Sequence, residues 1–214
     1  MDTAGVLRED PGAGPGDIDG AAVGDMGGVA IYTIGDMGGV AIYTLGDHWR
    51  SDRDERTEVG ELVHRAKDLD DPGAATELAE RFACLAGGLP ATGDDSLRLV
   101  TPVPSTAADC SDDRLQLTKL LASSLAAAGA GEYQPGLVVK TNPTPRMRHV
   151  EPERRAEVAA SAGYRAHNPV AGRHIVIVDD VMLTGTTLNA VATCLLDAGA
   201  ASVTAAVAVR TRRR

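Results

Sequence analysis

Apolar residues recur along this chain with two different periods. In TEVGELVHRAKDL, Val59, Leu62, Val63 and Ala66 share one face of a 3.6-residue repeat, which predicts an amphipathic helix over residues 57–69. Asp71-Pro72-Gly73 interrupts it, and AATELAERFACL predicts a second helix over 74–85, ended by Gly87-Gly88. From residue 97 the pattern shortens. LRLVTPV predicts a strand over 97–103, running into Pro102 and Pro104. A helix follows over 112–128, capped by Asp109 or Ser111, then a short strand over 136–140. A Pro/Arg loop over 141–150 leads to a polar helix over 151–162. A strand over 173–178, a helix over 187–198 ended by Gly199, and a strand over 202–209 complete the chain.

The clearest strand segments, 175–178 and 203–209, are apolar at every alternate position on both sides. Strands of that kind belong to a parallel sheet covered on both faces. The predicted class is therefore α/β: a parallel central sheet flanked by helices, with a small N-terminal strand and helix hood. In such sheets ligands bind at the carboxyl ends of the strands.

The N-terminal part follows other rules. Residues 1–23 are Gly, Pro, Asp and Ala with few large apolar groups, and are expected to be a disordered acidic tail. GDMGGVAIYTI (24–34) is then followed directly by GDMGGVAIYTL (35–45), an 11-residue tandem copy that differs only at its last position. Each copy joins a turn signal to a strand signal. The pair reads either as an antiparallel hairpin or as a local duplication with one copy extruded. The expected organisation is a tail over 1–23, one domain over 24–210 that includes the duplication, and a basic tail over 211–214.

Composition narrows the function classes. With 43% hydrophobic residues the chain can build a core, and with 3% aromatic residues that core is mostly Ala, Val, Leu and Ile. No apolar run reaches the ~20 residues that span a bilayer. The N-terminus has no basic start followed by an apolar centre, so a soluble cytoplasmic protein is expected. Cys84, Cys110 and Cys194 form no CxxC pair, which argues against a disulfide framework or a four-cysteine zinc site. The formal charge of -9 argues against direct nucleic-acid binding. That charge is unevenly spread: residues 1–113 carry 8 Lys/Arg against 23 Asp/Glu, and residues 114–214 carry 13 against 7. The second half alone suits a small polyanion.

The chemistry concentrates in HIVIVDDVMLTGTT (174–187). A buried strand ends in two carboxylates, Asp179 and Asp180, where the binding crevice should lie. Unpaired buried charge is costly, so these groups need partners. Thr184, Gly185, Thr186 and Thr187 then form a tight loop feeding a helix. Gly185 allows close backbone approach, and hydroxyls, N–H groups and the helix N-terminus make a phosphate cradle. Carboxylates beside a phosphate cradle suit a ligand bearing hydroxyls and phosphate, such as a ribose 5-phosphate.

Val178-Asp-Asp-Val-Met-Leu-Thr-Gly-Thr-Thr187 resembles the phosphoribosyl-pyrophosphate (PRPP) motif of type I phosphoribosyltransferases. The resemblance implies that Asp179 and Asp180 bind the ribose 2′- and 3′-hydroxyls as the catalytic acid pair. It implies that Thr184, Gly185, Thr186 and Thr187 hold the 5-phosphate. Segment order is most similar to the ComF-like group, over roughly residues 40–210. IYTLGDHWRSDRDERTEVGELVHRAKDLDD resembles that group's opening strand, helix and lysine-containing turn, with Lys67 at the lysine, and LRLVTPVPS resembles its first core strand. The chain departs from the group in three places. It lacks the N-terminal four-cysteine zinc module. It keeps only Arg114 of an Arg-Gly-Phe-Asn stretch. It carries Leu183, which cannot hydrogen-bond or transfer a proton, where 6-oxopurine enzymes place an aspartate near the base.

The reaction such a family implies is displacement of pyrophosphate from ribose C1, with Mg²⁺ bound mainly through PRPP. Pro104, Ser105 and Thr106 are candidates for the pyrophosphate loop. Arg114, Lys140, Arg146, Arg148, Arg154 and Arg155 are candidate cations for it, although a solvated basic face fits the same residues. No protein metal ligand is assigned. His48, His64, His149, His167 and His174 show no metal-ligand spacing, and Tyr164 suits either base stacking or packing. The expected partners are PRPP and an acceptor these residues do not identify, with no membrane, and with a homodimer as an admissible assembly. Three functions fit: a PRPP-dependent transferase of nucleotide metabolism (a pentosyl glycosyltransferase), a non-catalytic PRPP or nucleotide sensor, and a ComF-like accessory of competence and DNA uptake.

Overall fold

Three strands that are apolar on both faces form the centre of the molecule. In the computed structural model these are β3 (Arg98–Pro102), β7 (His174–Met182) and β8 (Ser202–Arg210). The structure describes residues 30–34, 40–50, 55–93, 97–104, 116–167 and 170–211. The expected tail over 1–23, all but Thr211 of the expected tail over 211–214, the caps Asp109 and Ser111, and the candidates Ser105, Thr106 and Arg114 lie outside the described residues.

β3 pairs parallel with β7, and β7 pairs parallel with β8. β2 (Val40–Thr44) adds parallel to β8, β1 (Ala30–Ile34) adds antiparallel to β2, and β4 (Glu132–Tyr133) closes the other edge parallel to β3. The sheet order is β1-β2-β8-β7-β3-β4. The duplicated 11-mer is thus a hairpin: its two copies pair with each other, Tyr32 opposite Ile42 and Ala30 opposite Thr44.

The alternation of side chains along each strand assigns them to two layers. Val100, Val176, Val178, Ala206 and Ala208 face one core, shared with α1 (Glu58–Asp68), α2 (Pro72–Ala83) and α3 (Leu117–Leu125). Leu99, Ile175, Ile177, Ala205 and Val207 face the other, shared with α5 (Thr186–Asp197). A separate ribbon of β5 (Val138–Lys140) and β6 (Tyr164–Ala166) lies on that second side, with α4 (Arg155–Ser161) between its strands. Phe82, Leu78, Leu85, Leu121 and Leu125 are fully buried in the first core, each worth about 1.5–3 kcal/mol of burial. The N-terminal hood merges with the main body, because β2 joins the sheet and α1 and α2 share the core of α3.

The break at Asp71-Pro72-Gly73 stands between α1 and α2, and it also starts the second helix two residues earlier than expected: the Asp71 carboxylate caps α2, accepting from the Gly73 and Ala74 N–H groups, with Pro72 at the first helical position. Two other local expectations change. The predicted polar helix divides into a 3₁₀ turn over Pro152–Arg154 and the short α4. The acid-bearing strand does not stop at Val178, because β8 stays in register beside it and pairs Asp179 with Val207 and Met182 with Arg210.

α1 is seated closely on the loop before it. Thr57 caps it by accepting from the Gly60 N–H. A Cβ at Gly60 would collide with the His48 carbonyl. Asp47 in the same loop accepts from Arg210 at 2.6 Å, at the end of β8. This seat directs the last turn of α1 toward the carboxyl end of β7.

Candidate functional site

Consecutive residues on a strand point to opposite faces, so the two carboxylates of β7 part company. Asp180 points to the α1 side. Lys67, in the last turn of α1, places its Nζ 2.8 Å from Oδ1 and 2.7 Å from Oδ2 of Asp180. The Asp180 side chain is 10% exposed and that of Lys67 is 42% exposed, so the ammonium sits at the mouth of the crevice. Burial pulls the Lys67 ammonium down, but the Asp180 carboxylate outweighs it and leaves the pKa above its ordinary value.

Asp179 points to the other side. Its Oδ1 accepts from the Asp180 N–H at 2.9 Å. Burial, reinforced by the negative charge of Asp180, pushes its pKa up to about 7, while Lys67 opposes the rise. Tyr164 on β6 faces the same group: burial and the charge of Asp179 push its phenol up to about 12, so it stays a neutral donor.

The loop after β7 behaves as its composition suggests. Gly185 is buried and left-handed, with φ 71°, a conformation that favours glycine. It stands at the N-cap of α5, and no side chain caps that helix. The Gly185 carbonyl accepts from the Asn189 N–H at 2.8 Å to start the helix. The Thr184 and Thr186 hydroxyls lie 3.1 Å apart across the loop. Uncapped N–H groups, two hydroxyls in contact and the positive helix end make an anion cradle one turn beyond the acid pair. Thr187 occupies the first turn of α5. Thr186 and Tyr164 also line an open cavity of about 560 Å³ between α4 and α5, with Asn189, Thr193 and Ala159.

The basic candidates divide. Arg148, in a 3₁₀ turn over Met147–His149, approaches the Asp68 carboxylate at 3.5 Å and donates to His149 Nε2 at 3.2 Å. That contact brings the basic loop to α1, one residue from Lys67. Lys140 ends β5 and donates to the Thr144 hydroxyl. Arg146 precedes the 3₁₀ turn. Arg154 pairs with Glu157 at 3.7 Å, and Arg155 donates to the Val150 carbonyl at 3.0 Å. Both of the latter serve their own segment. Pro104 follows β3 at the same sheet end as the acid pair, since Pro102 pairs with Val178.

The resemblance marks Lys67 only as the lysine of its turn, with no partner, and gives Asp68 no role. The Lys67–Asp180 pair spans 113 positions, and nothing local in VHRAKDL announces it. Among the described residues no group of three or more His, Cys, Asp or Glu is placed to hold a metal ion. The acid pair suits hydroxyl donors.

A family model described as the phosphoribosyl transferase domain matches residues 83–214. Among solved structures, a hypoxanthine-guanine-xanthine phosphoribosyltransferase aligns at 16% identity over 62% of this chain and 64% of its own, with a TM-score of 0.38. The hypoxanthine phosphoribosyltransferase of Trypanosoma cruzi aligns at 17% identity over 70% and 66%, TM-score 0.35. The hypoxanthine-guanine enzyme of L. donovani aligns at 20% identity over 63% and 68%, TM-score 0.36. The chain thus spans about two thirds of the length of these structures. No curated protein matches it.

Proposed function

Because the chain belongs to the phosphoribosyl transferase family, we propose that it binds PRPP and transfers the phosphoribosyl group to an acceptor, with release of pyrophosphate. The observation that carries this reading is the meeting of an acid pair and an uncapped, threonine-lined helix start at the end of one strand, β7.

In this reading Asp179 and Asp180 accept hydrogen bonds from the ribose hydroxyls and orient C1. The 5-phosphate sits on the Thr184–Thr187 loop, held by N–H groups that need no rearrangement. The acceptor forms a bond to C1 as the C1–O bond to pyrophosphate breaks, and the electron pair leaves with pyrophosphate. Pro104, Ser105, Thr106, Arg114, Lys140, Arg146 and Arg148 are the candidates to hold that leaving group. Mg²⁺, bound mainly through PRPP, would supply charge to it. The proposed setting is nucleotide metabolism in the cytoplasm, within the ComF-like group that the segment order resembles. Among the described residues no helix is long and apolar enough to cross a membrane.

A second reading rests on Leu183. That residue precedes the phosphate loop and offers neither donor nor acceptor, which suits a PRPP or nucleotide sensor that needs no base chemistry. Calorimetry with PRPP, with and without Mg²⁺, on wild type and on the double variant Asp179→Ala/Asp180→Ala tests the site. Binding by wild type alone is expected. Pyrophosphate release with a panel of bases, amines and ammonia then separates the two readings: release supports the transferase, and binding without release the sensor. Absence of PRPP binding by wild type would overturn both.

A further inference from the structure

We infer that Lys67 is a positioning residue of this site: from the last turn of α1 it holds Asp180 by both carboxylate oxygens and supplies the positive charge that lets two adjacent carboxylates face one ligand. The inference rests on the PRPP reading for its meaning, but its geometry does not.

A carboxylate pair at a strand end is unstable as two bare anions. Each raises the cost of the other, and burial adds to it. Among the described residues, few groups face the pair. From α1 come Lys67 and, one residue on, Asp68, whose charge is shared with His64 at 2.9 Å and Arg148 at 3.5 Å. From β6 comes Tyr164, a neutral phenol. Among the described residues, Lys67 is therefore the cation in direct contact with Asp180, at 2.7 and 2.8 Å.

Its geometry is that of a support rather than a plug. An ammonium has three N–H donors, of which Asp180 takes two. Each carboxylate oxygen has a second lone pair, so Asp180 can accept from Lys67 and from a ribose hydroxyl together. The third N–H is left for an oxygen of the ligand. The side chain is also partly solvated, so it can follow the ligand without leaving Asp180. An anionic ligand approaching two carboxylates gains from a cation already in place.

The test reads the acid pair directly. Asp179 is followed by carboxyl ¹³C NMR titration of the free protein, in wild type, Lys67→Met, Lys67→Gln and Lys67→Arg. Loss of the ammonium in Met or Gln moves the Asp179 midpoint to higher pH, by about one unit or more. The Arg variant keeps it within a few tenths. Gln retains a hydrogen-bond donor, so a shift common to Met and Gln assigns the effect to charge and not to packing. PRPP titrations at pH 6.5 and 8.5 give the second readout: relative to wild type, both neutral variants weaken most at pH 6.5, by about tenfold. An unmoved midpoint in folded Met and Gln variants overturns the inference. A wild type that titrates as expected but binds no PRPP leaves the inference standing and removes the proposed function instead.

Discussion

The Asp68 carboxylate receives Arg148 at 3.5 Å, one residue along α1 from the lysine that grips Asp180. One helical turn therefore touches both the acid pair and the basic loop over residues 141–155. The contact is half exposed, so its strength is modest. Asp68→Asn is expected to cost about 0.5 kcal/mol of stability or less. It should also release the loop locally, so that trypsin cuts after Arg148 about two- to threefold faster. Unchanged cleavage would mean that the loop is held by something other than Asp68.

Asp179→Asn should separate stability from binding. Burial makes the ionised carboxylate unfavourable, so a neutral isostere raises the melting temperature, on the order of 2–4 °C per kcal/mol recovered. The same change removes an acceptor for a ribose hydroxyl and should weaken PRPP binding by about tenfold or more. Differential scanning fluorimetry and calorimetry on one preparation read both. A variant that binds as wild type does would take Asp179 out of the site.

The pH dependence has opposite signs for folding and for binding. The folded pKa of Asp179 lies above its ordinary value of 3.8, at about 7. Its contribution to stability is therefore fully present below about pH 4 and is lost as pH rises through 7. Acceptance from ribose hydroxyls is stronger and twofold in the ionised form, so PRPP affinity should rise over the same upper range. The difference between wild type and Asp179→Asn, measured by urea denaturation and by PRPP titration at pH 5 and 8, isolates this group. Curves that run in parallel for folding and binding would contradict the assignment.

Gly185→Ala places a Cβ on a left-handed residue with φ 71°. The backbone strain is about 1–2 kcal/mol, and the distortion falls on the loop proposed to hold the phosphate. Loss of stability of that size together with at least tenfold weaker ribose 5-phosphate binding is expected. Stability loss with unchanged binding would confine Gly185 to a structural role.

Removing residues 24–34 should leave a folded protein. The remaining copy of the 11-mer still supplies the strand beside β8, with Ile42 and Tyr43 buried, and only the edge strand β1 is lost. A fall of about 2–4 °C in melting temperature with PRPP binding intact is expected. Removing residues 24–45 takes β2 as well and should abolish the cooperative transition. If the single deletion already does so, the hairpin is part of the folding unit.

The site was legible where its cause is local. Apolar alternation through Val178, the carboxylates, and the Thr-Gly-Thr-Thr loop lie within fourteen consecutive residues, and the start of the strand and the whole of the helix stand within a residue of where the pattern puts them. What depends on distant partners was not legible. β4 and β6 are too short to show a period and exist only because β3 and β5 pair with them. β7 runs past Val178 because β8 stays in register beside it. Asp71-Pro72-Gly73 reads as a break and is one, but it is also a start, since a carboxylate before proline serves as a cap. Lys67 and Asp180 meet through the packing of α1 on the sheet, which no window of sequence contains.

The alternation along β7 reaches beyond the site itself. Asp180 belongs to the layer of α1, and Asp179 to the layer of β6 and α5. A molecule that engages both carboxylates must straddle the end of the sheet and rest on both layers at once. Its free energy of binding is then drawn from two layers of the protein that lie on opposite faces of the strand between them. Occupancy becomes a rivet: amides of α1 and amides of α5 gain protection from hydrogen exchange together, and a ligand that reaches only one carboxylate protects only one side.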